Sequence, residues 1–378
     1  MSEPTEPVVV IGAGASGLTV AAELARRGIP AEILDRSGTI GSPWRTRYDR
    51  LRLNTCRWYS TLSKVPFPKG TPVFPDRDGF VRYLEDYAVR HDLKVRFGVE
   101  VHRIERHETG GWLLDTSDGK RTARQVVIST GLMHTPRLPG WFARDLCGGR
   151  AFHSSEYRNA EGFAGRDVLV VGGGSSGLDI ALDLAEGGAR RVRVAVRSAP
   201  YLETRLVGPV PSDLLGEALF RLPTGLADRI SRLIRRFWVG DLSRWGLPIP
   251  AEDFYSYISR TGGGPVVVGR DVIRAIRKGR IEIVGAVETA DRAADGTTTV
   301  RLADGGTLEP DAVIACTGFT AGLEPVVGHL GVLKPDGTPG AWGGPEAAPG
   351  LRFSGYVANI NNLYNEGRRV AEEISRAG

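Results

Sequence analysis

The strongest constraint on this chain of 378 residues is a strand, a glycine loop and a helix that occur in it twice. Val8-Val9-Val10-Ile11 runs into Gly12-Ala13-Gly14-Ala15-Ser16-Gly17 and then a helix-compatible stretch, Leu18 to Gly28. Val168-Leu169-Val170-Val171 runs into Gly172-Gly173-Gly174-Ser175-Ser176-Gly177 and then Leu178 to Gly188. A second apolar strand follows each copy, Ala31 to Asp35 and Val192 to Arg197, so each completes the start of a βαβ unit. A lone GxGxxG arises easily where glycine is common. A copy that follows a strand and opens a helix instead aims backbone N–H groups and the helix dipole at a pyrophosphate. Two such copies predict an α/β chain with two Rossmann-like dinucleotide-binding domains.

The two units differ where their second strands end. Asp35 closes the first, where a carboxylate accepts hydrogen bonds from an adenosine ribose, as in FAD or NAD binding. Arg197 closes the second, where a guanidinium can pair with a 2′-phosphate, which points to NADP; the alternative is a solvated surface arginine. FAD first and NADPH second describe an electron path from nicotinamide to flavin.

The final acceptor is not a protein disulfide. Cys56, Cys147 and Cys316 are far apart, with no CxxC pair and no zinc spacing among them and the six histidines, so no metal site is expected. This cysteine usage suits a reducing, cytoplasmic setting. Fifty glycines, roughly twice ordinary usage, show no collagen period and so serve turns and close backbone approach. With 41% hydrophobic and 25% charged residues the composition is that of a soluble globular enzyme. The net charge of +5 comes from arginines scattered through the chain, which argues against a nucleic-acid partner. Met1 to Pro7 is polar and acidic and reads as no export signal. The apolar run Val8 to Ala22 falls short of a transmembrane segment.

Between the glycine units, Phe80 to Arg90 reads as an amphipathic helix, Lys94 to Arg106 and Gly111 to Thr116 as strands, and Val126 to Gly131 as a buried strand ending in a turn. The strand Asp311 to Cys316, followed by Thr317 and Gly318, mirrors Val126 to Gly131 and suggests a return to the first domain, closed by Arg352 to Tyr356 and a last helix to Ser375. The expected domains are 1–158 for the first part of a discontinuous FAD domain, 159–300 for an NADP domain with a helical insertion, and 301–378 for the returning segment. Within the insertion, Leu214 to Trp238 has apolar residues at helical spacing with arginines interleaved. It suits an active-site cover or a homodimer contact better than peripheral membrane docking.

Cys147 to Tyr157 resembles the FxGxxxHxxxY fingerprint of class B flavin-dependent monooxygenases: Gly149, His153 and Tyr157 match, while Cys147 replaces the leading aromatic. Trp44 to Ala88, Gly240-Asp241, Trp245 to Pro248 and Ile281 to Val284 are similar to the YUCCA-like branch. Ser42 and Pro43, and the loop with Asn359, Asn361 and Asn362, depart from it. The resemblance implies an NADPH- and O2-dependent monooxygenase that forms a C4a-(hydro)peroxyflavin and oxygenates a small organic substrate at nitrogen or sulfur, or attacks a 2-oxo acid. The alternatives are an NADPH-dependent flavin reductase serving a quinone or carrier protein, and a redox-sensing binding protein.

The resemblance further implies that Asn54 holds NADP+ and the activated oxygen beside the flavin, an amide being able to donate and accept without titrating; the alternative is a turn cap. His153 reads as a linker histidine rather than an acid or base. Arg50 and Arg52 read equally as acidic-substrate ligands or as solvated side chains. The cofactor-binding candidates are Gly12, Gly14, Ala15, Ser16, Gly17, Asp35, Arg36, Trp44, Val101, Thr130, Gly131, Gly172, Gly174, Ser175, Ser176, Gly177, Arg197, Thr317 and Gly318.

Overall fold

The computed structural model describes residues 7–262, 264–357 and 359–377. The polar lead at residues 1–6 lies outside them. The chain forms two compact units: Met1–Arg45, Arg57–Pro136 and Phe319–Gly378 make the first, Thr46–Cys56 and Arg137–Gly318 the second.

In the first unit six strands form one sheet in the order Glu346–Ala348, Leu351–Phe353, Val126–Ile128, Val8–Ile11, Ala31–Asp35 and Val95–Phe97. All neighbours are parallel except the hairpin at the first edge. The central strand Val8–Ile11 is buried throughout, as a strand covered on both faces must be. Helix Ala15–Ala25 returns from it and packs on helix Ile360–Ala377. That approach is close enough that a Cβ on Gly367 would lie 2.8 Å from Thr19 Cγ2. Val101–Arg106, Trp112–Thr116 and Gly119–Ala123 add a separate antiparallel sheet.

The second unit repeats the plan. Five parallel strands run in the order Glu282–Val284, Arg191–Ala195, Asp167–Val171, Ala312–Ala315 and Ala151–His153, and Val287–Arg292, Thr298–Leu302 and Thr307–Leu308 form an antiparallel sheet. Between Arg191–Ala195 and Glu282–Val284 lies an insertion with helices Ser212–Leu219, Thr224–Trp238 and Phe254–Thr261, and with strand Leu202–Thr204 paired to Val266–Val268. The stretch Leu214 to Trp238, read as having helical spacing, forms two helices, with Pro223 directly ahead of Thr224.

Two expectations need correction. Ala312–Ala315 stays in the second unit beside Asp167–Val171, and the chain returns to the first unit only at Phe319. It does mirror Val126–Ile128, since each occupies the same place beside the first strand of its own sheet. The boundaries also move. The second unit begins at Arg137 rather than near 159, because Ala151–His153 is an edge strand of its sheet, and it claims Thr46–Cys56, whose Tyr48 is buried in the second unit's core.

Candidate dinucleotide sites

The two glycine loops are built alike, and their glycines have different causes. Gly12 and Gly172 have φ of +109° and +122°, conformations that glycine adopts at little cost. A Cβ on Gly17 would lie 1.9 Å from the Gly12 carbonyl oxygen, and one on Gly177 2.0 Å from that of Gly172. The protein's own packing thus accounts for the first and third glycines. It does not account for the middle ones: Gly14 and Gly174 have φ of −84° and −75° in extended backbone, and a Cβ on either would meet nothing within 4 Å. A ligand approaching the backbone accounts for them. Helices Ala15–Ala25 and Ser175–Glu186 start at these glycines without a side-chain cap, leaving N–H groups for an anion. Both cradles fit a pyrophosphate.

Around the first loop, Asp35 accepts from the Ala13 N–H at 2.6 Å and from the Ser37 N–H and hydroxyl at 2.8 and 2.6 Å, which places its carboxylate at the loop. Ala15 lies in the buried start of the helix. The Ser16 hydroxyl is turned inward to Ser354, 3.0 Å away. The Gly41 N–H donates to the Ala13 carbonyl and ties the Trp44 segment to the loop, with Trp44 edge-on to Phe80 at 4.6 Å. Thr130 shares a 2.9 Å hydrogen bond with the Tyr356 hydroxyl, beside Gly131 at φ +78°. The neighbouring Ser129 hydroxyl is buried without a partner among the described residues, and the Ser129 carbonyl lies against Gly12. Arg36 is exposed and pairs with Glu100, and Val101 is packed in the core.

In the second unit Arg197 follows strand Arg191–Ala195, exposed and without an ion pair or hydrogen bond to any described residue. Val196 before it lies against Gly173, so Arg197 is next to the loop. Ser176 hydrogen-bonds Tyr48, whose hydroxyl reaches Asp179 at 3.4 Å. Asp179 is ion-paired with Arg205 at 2.9 Å, and Arg205 also donates to Asn54 Oδ1 at 3.3 Å. Arg205 and Asp179 carried no signal in the sequence beyond their charge. Among the described residues Asn54 makes no side-chain bond to a turn: Arg205 can only donate, so the amide oxygen faces it, and Nδ2 has no partner there.

The fingerprint residues serve the second unit. Gly149 is left-handed at φ +85°. His153 donates from Nε2 to the Gly318 carbonyl at 3.0 Å and accepts at Nδ1 from the Ser155 N–H at 3.1 Å. Burial holds its pKa below the usual value, and with both nitrogens engaged it is a structural residue. Tyr157 donates to Asp183 at 2.7 Å. Arg50 is paired with Asp183 and Glu186, so it is neither a free substrate ligand nor merely solvated, while Arg52 is exposed. Thr317 donates to the Arg137 carbonyl, and Gly318 accepts from the Arg137 N–H at 3.0 Å. Cys316, whose thiol is pushed up to about 12 by burial, packs its Cβ under the loop, 3.3 Å from where a Gly177 Cβ would stand. Among the described residues there is no metal-binding cluster and no helix long and apolar enough to cross a membrane.

Residues 9–207 match the pyridine nucleotide-disulphide oxidoreductase family. The chain is 35% identical over 319 residues to indole-3-pyruvate monooxygenase YUCCA1 of Oryza sativa subsp. japonica, covering 83% of this chain and 77% of that protein. It is 31% identical to a probable indole-3-pyruvate monooxygenase, YUCCA4 of Arabidopsis thaliana, over 99% of this chain and 92% of that one. A flavin-containing monooxygenase structure from Stenotrophomonas maltophilia has the same fold, with a TM-score of 0.75, 23% identity and 99% coverage of both chains. Fold and loops define a two-dinucleotide flavoprotein. Within that class the chain belongs to the YUCCA-like, class B flavin-dependent monooxygenases. It is an NADPH- and O2-dependent oxidoreductase of a small organic substrate, and its cofactors are FAD and NADPH.

Replacing Arg197 with alanine should weaken NADPH roughly 10- to 100-fold, the loss of a charge-assisted hydrogen bond, and leave NADH nearly unchanged. Titration of both nucleotides measures this. Equal weakening of the two would make Arg197 structural.

Proposed function

We propose that the chain oxygenates a 2-oxo acid with an aromatic side chain. The observation that carries this reading is the match, over most of the chain, to relatives named for indole-3-pyruvate. FAD would be held by Gly12, Gly14, Ala15 and Gly17, with Asp35 on the ribose. NADPH would be held by Gly172, Gly174, Ser175, Ser176 and Gly177, with Arg197 on the 2′-phosphate. When bound, the flavin supplies hydride acceptance and oxygen activation, and the protein supplies placement and exclusion of water. Asp179 and Tyr48 fix Arg205, and Arg205 fixes Asn54, so that a neutral amide donor is held ready beside the second loop. The wide spacing of the cysteines supports a cytoplasmic setting.

The reaction balances as 2-oxo acid, NADPH, H+ and O2 giving the acid one carbon shorter, CO2, NADP+ and water. Under labelled O2, phenylpyruvate or indole-3-pyruvate should yield an acid carrying one labelled oxygen, with one CO2 released per NADPH consumed. If every 2-oxo acid gives only hydrogen peroxide while an amine or thioether gains the label, the substrate class is a soft nucleophile instead.

A further inference from the structure

In the insertion of the second unit, strand Leu202–Thr204 turns Leu202 into the core beneath the parallel sheet, and the alternation of a strand turns Glu203 the other way. Glu203 lines a pocket whose walls are largely apolar: Leu215, Leu219, Ile234, Trp238, Phe254 and Tyr255. Asp228 builds this wall by accepting from the Tyr255 N–H at 2.7 Å and the Ser256 hydroxyl at 2.6 Å, which fastens helix Phe254–Thr261 to helix Thr224–Trp238.

Within this lining Glu203 makes no ion pair or side-chain hydrogen bond with any described residue, and burial lifts its carboxyl to about 7. The Tyr255 and Ser231 hydroxyls, also in the lining, have no partner among the described residues either. The one cation of the lining, Arg235, lies within electrostatic reach of Asp241 and Asp253 and makes no pair with Glu203. Glu203 is half-buried and keeps some contact with solvent, yet a carboxylate facing these apolar walls with no donor among the described residues costs more than an aliphatic side chain would at the same place. The free space, about 40 Å³, exceeds the roughly 10–15 Å³ that a single water needs and accepts a head group rather than a whole ligand. Aromatic faces around an acidic group favour a cation with N–H donors.

We propose that this pocket binds the ammonium head of an apolar primary amine, with Glu203 as its counter-ion, the Ser231 and Tyr255 hydroxyls as further partners and the aromatic walls against its first carbons. The site stands apart from the 2-oxo acid reading and does not depend on it.

Isothermal titration of the FAD-loaded protein with benzylamine, and with benzyl alcohol as its uncharged counterpart, tests the site. Benzylamine should bind better than benzyl alcohol. Glu203→Gln, which keeps the shape, should weaken benzylamine tenfold or more and leave benzyl alcohol within about twofold. Glu203→Leu should abolish amine binding while flavin content stays at the wild-type level, which shows that the fold survives. NADPH consumption with an oxygenated amine would make the occupant a substrate, and binding without turnover an effector; both uphold the site. Equal benzylamine affinity in wild type and Glu203→Gln, or no amine binding to the wild type at millimolar concentration, would overturn it.

Discussion

Gly14→Leu should yield a folded, colourless protein. The position has extended backbone that any residue adopts, and a Cβ there meets nothing within 4 Å, so the substitution costs the protein little by itself. It does fill the space through which a pyrophosphate reaches the helix N-terminus. Flavin occupancy should fall below about a tenth of wild type, because a branched side chain cannot share the cradle with a phosphate. The melting temperature should be compared between flavin-free preparations, since bound FAD stabilises the native state by mass action. Gly17→Ala is the contrasting case. Its Cβ would lie 1.9 Å from the Gly12 carbonyl oxygen, so both stability and flavin should be lost. Full FAD retention in Gly14→Leu would show that the first loop is not the flavin site.

Asn54→Ala should separate NADPH oxidation from oxygenation. Asn54 is held from one side, its Oδ1 accepting from Arg205, while its Nδ2 has no partner among the described residues. Arg205 stays anchored on Asp179 at 2.9 Å in the variant, so the second glycine loop and its neighbours keep their arrangement. NADPH should therefore still bind and be oxidised at near the wild-type rate. With a working substrate present, hydrogen peroxide released per NADPH should rise several-fold, because the amide that the protein holds ready beside the loop is gone. Unchanged coupling would reduce Asn54 to a partner of Arg205. A parallel loss of NADPH affinity would mean that the amide serves binding rather than the fate of oxygen.

The parts of this design that depend on local chemistry were legible in the sequence. Strand, glycine loop and helix follow one another within 20 residues, and Asp35 and Arg197 each stand at or just past the end of the next strand, beside their loops. What depends on distant packing was not. Val126–Ile128 and Ala312–Ala315 are both short apolar strands, and nothing in their pattern says which sheet each joins. Thr46–Cys56 belongs to the second unit through Tyr48 and Arg50, whose partners Asp179, Asp183 and Glu186 lie more than 130 positions further along the chain. Pairing over such separations leaves no periodic trace. Arg205 and Glu203 were overlooked for the same reason. A charged residue in a short strand reads as solvated until the helices around it are known.

The place of Cys316 bears on how long such an enzyme lasts. Every uncoupled turnover releases an oxidant inside the protein that made it, and the usual casualty is a thiol ionised at working pH. The Cys316 carbonyl and Cβ sit directly under the second glycine loop, against Gly172 and Gly177, so a change of volume at this residue bears on the loop's footing. Burial holds its thiol protonated up to about 12, and burial raises Cys147 as well. The cysteine that underlies the loop thus keeps its thiol in the protonated, unreactive form, and the loop is spared the wear of its own side reaction.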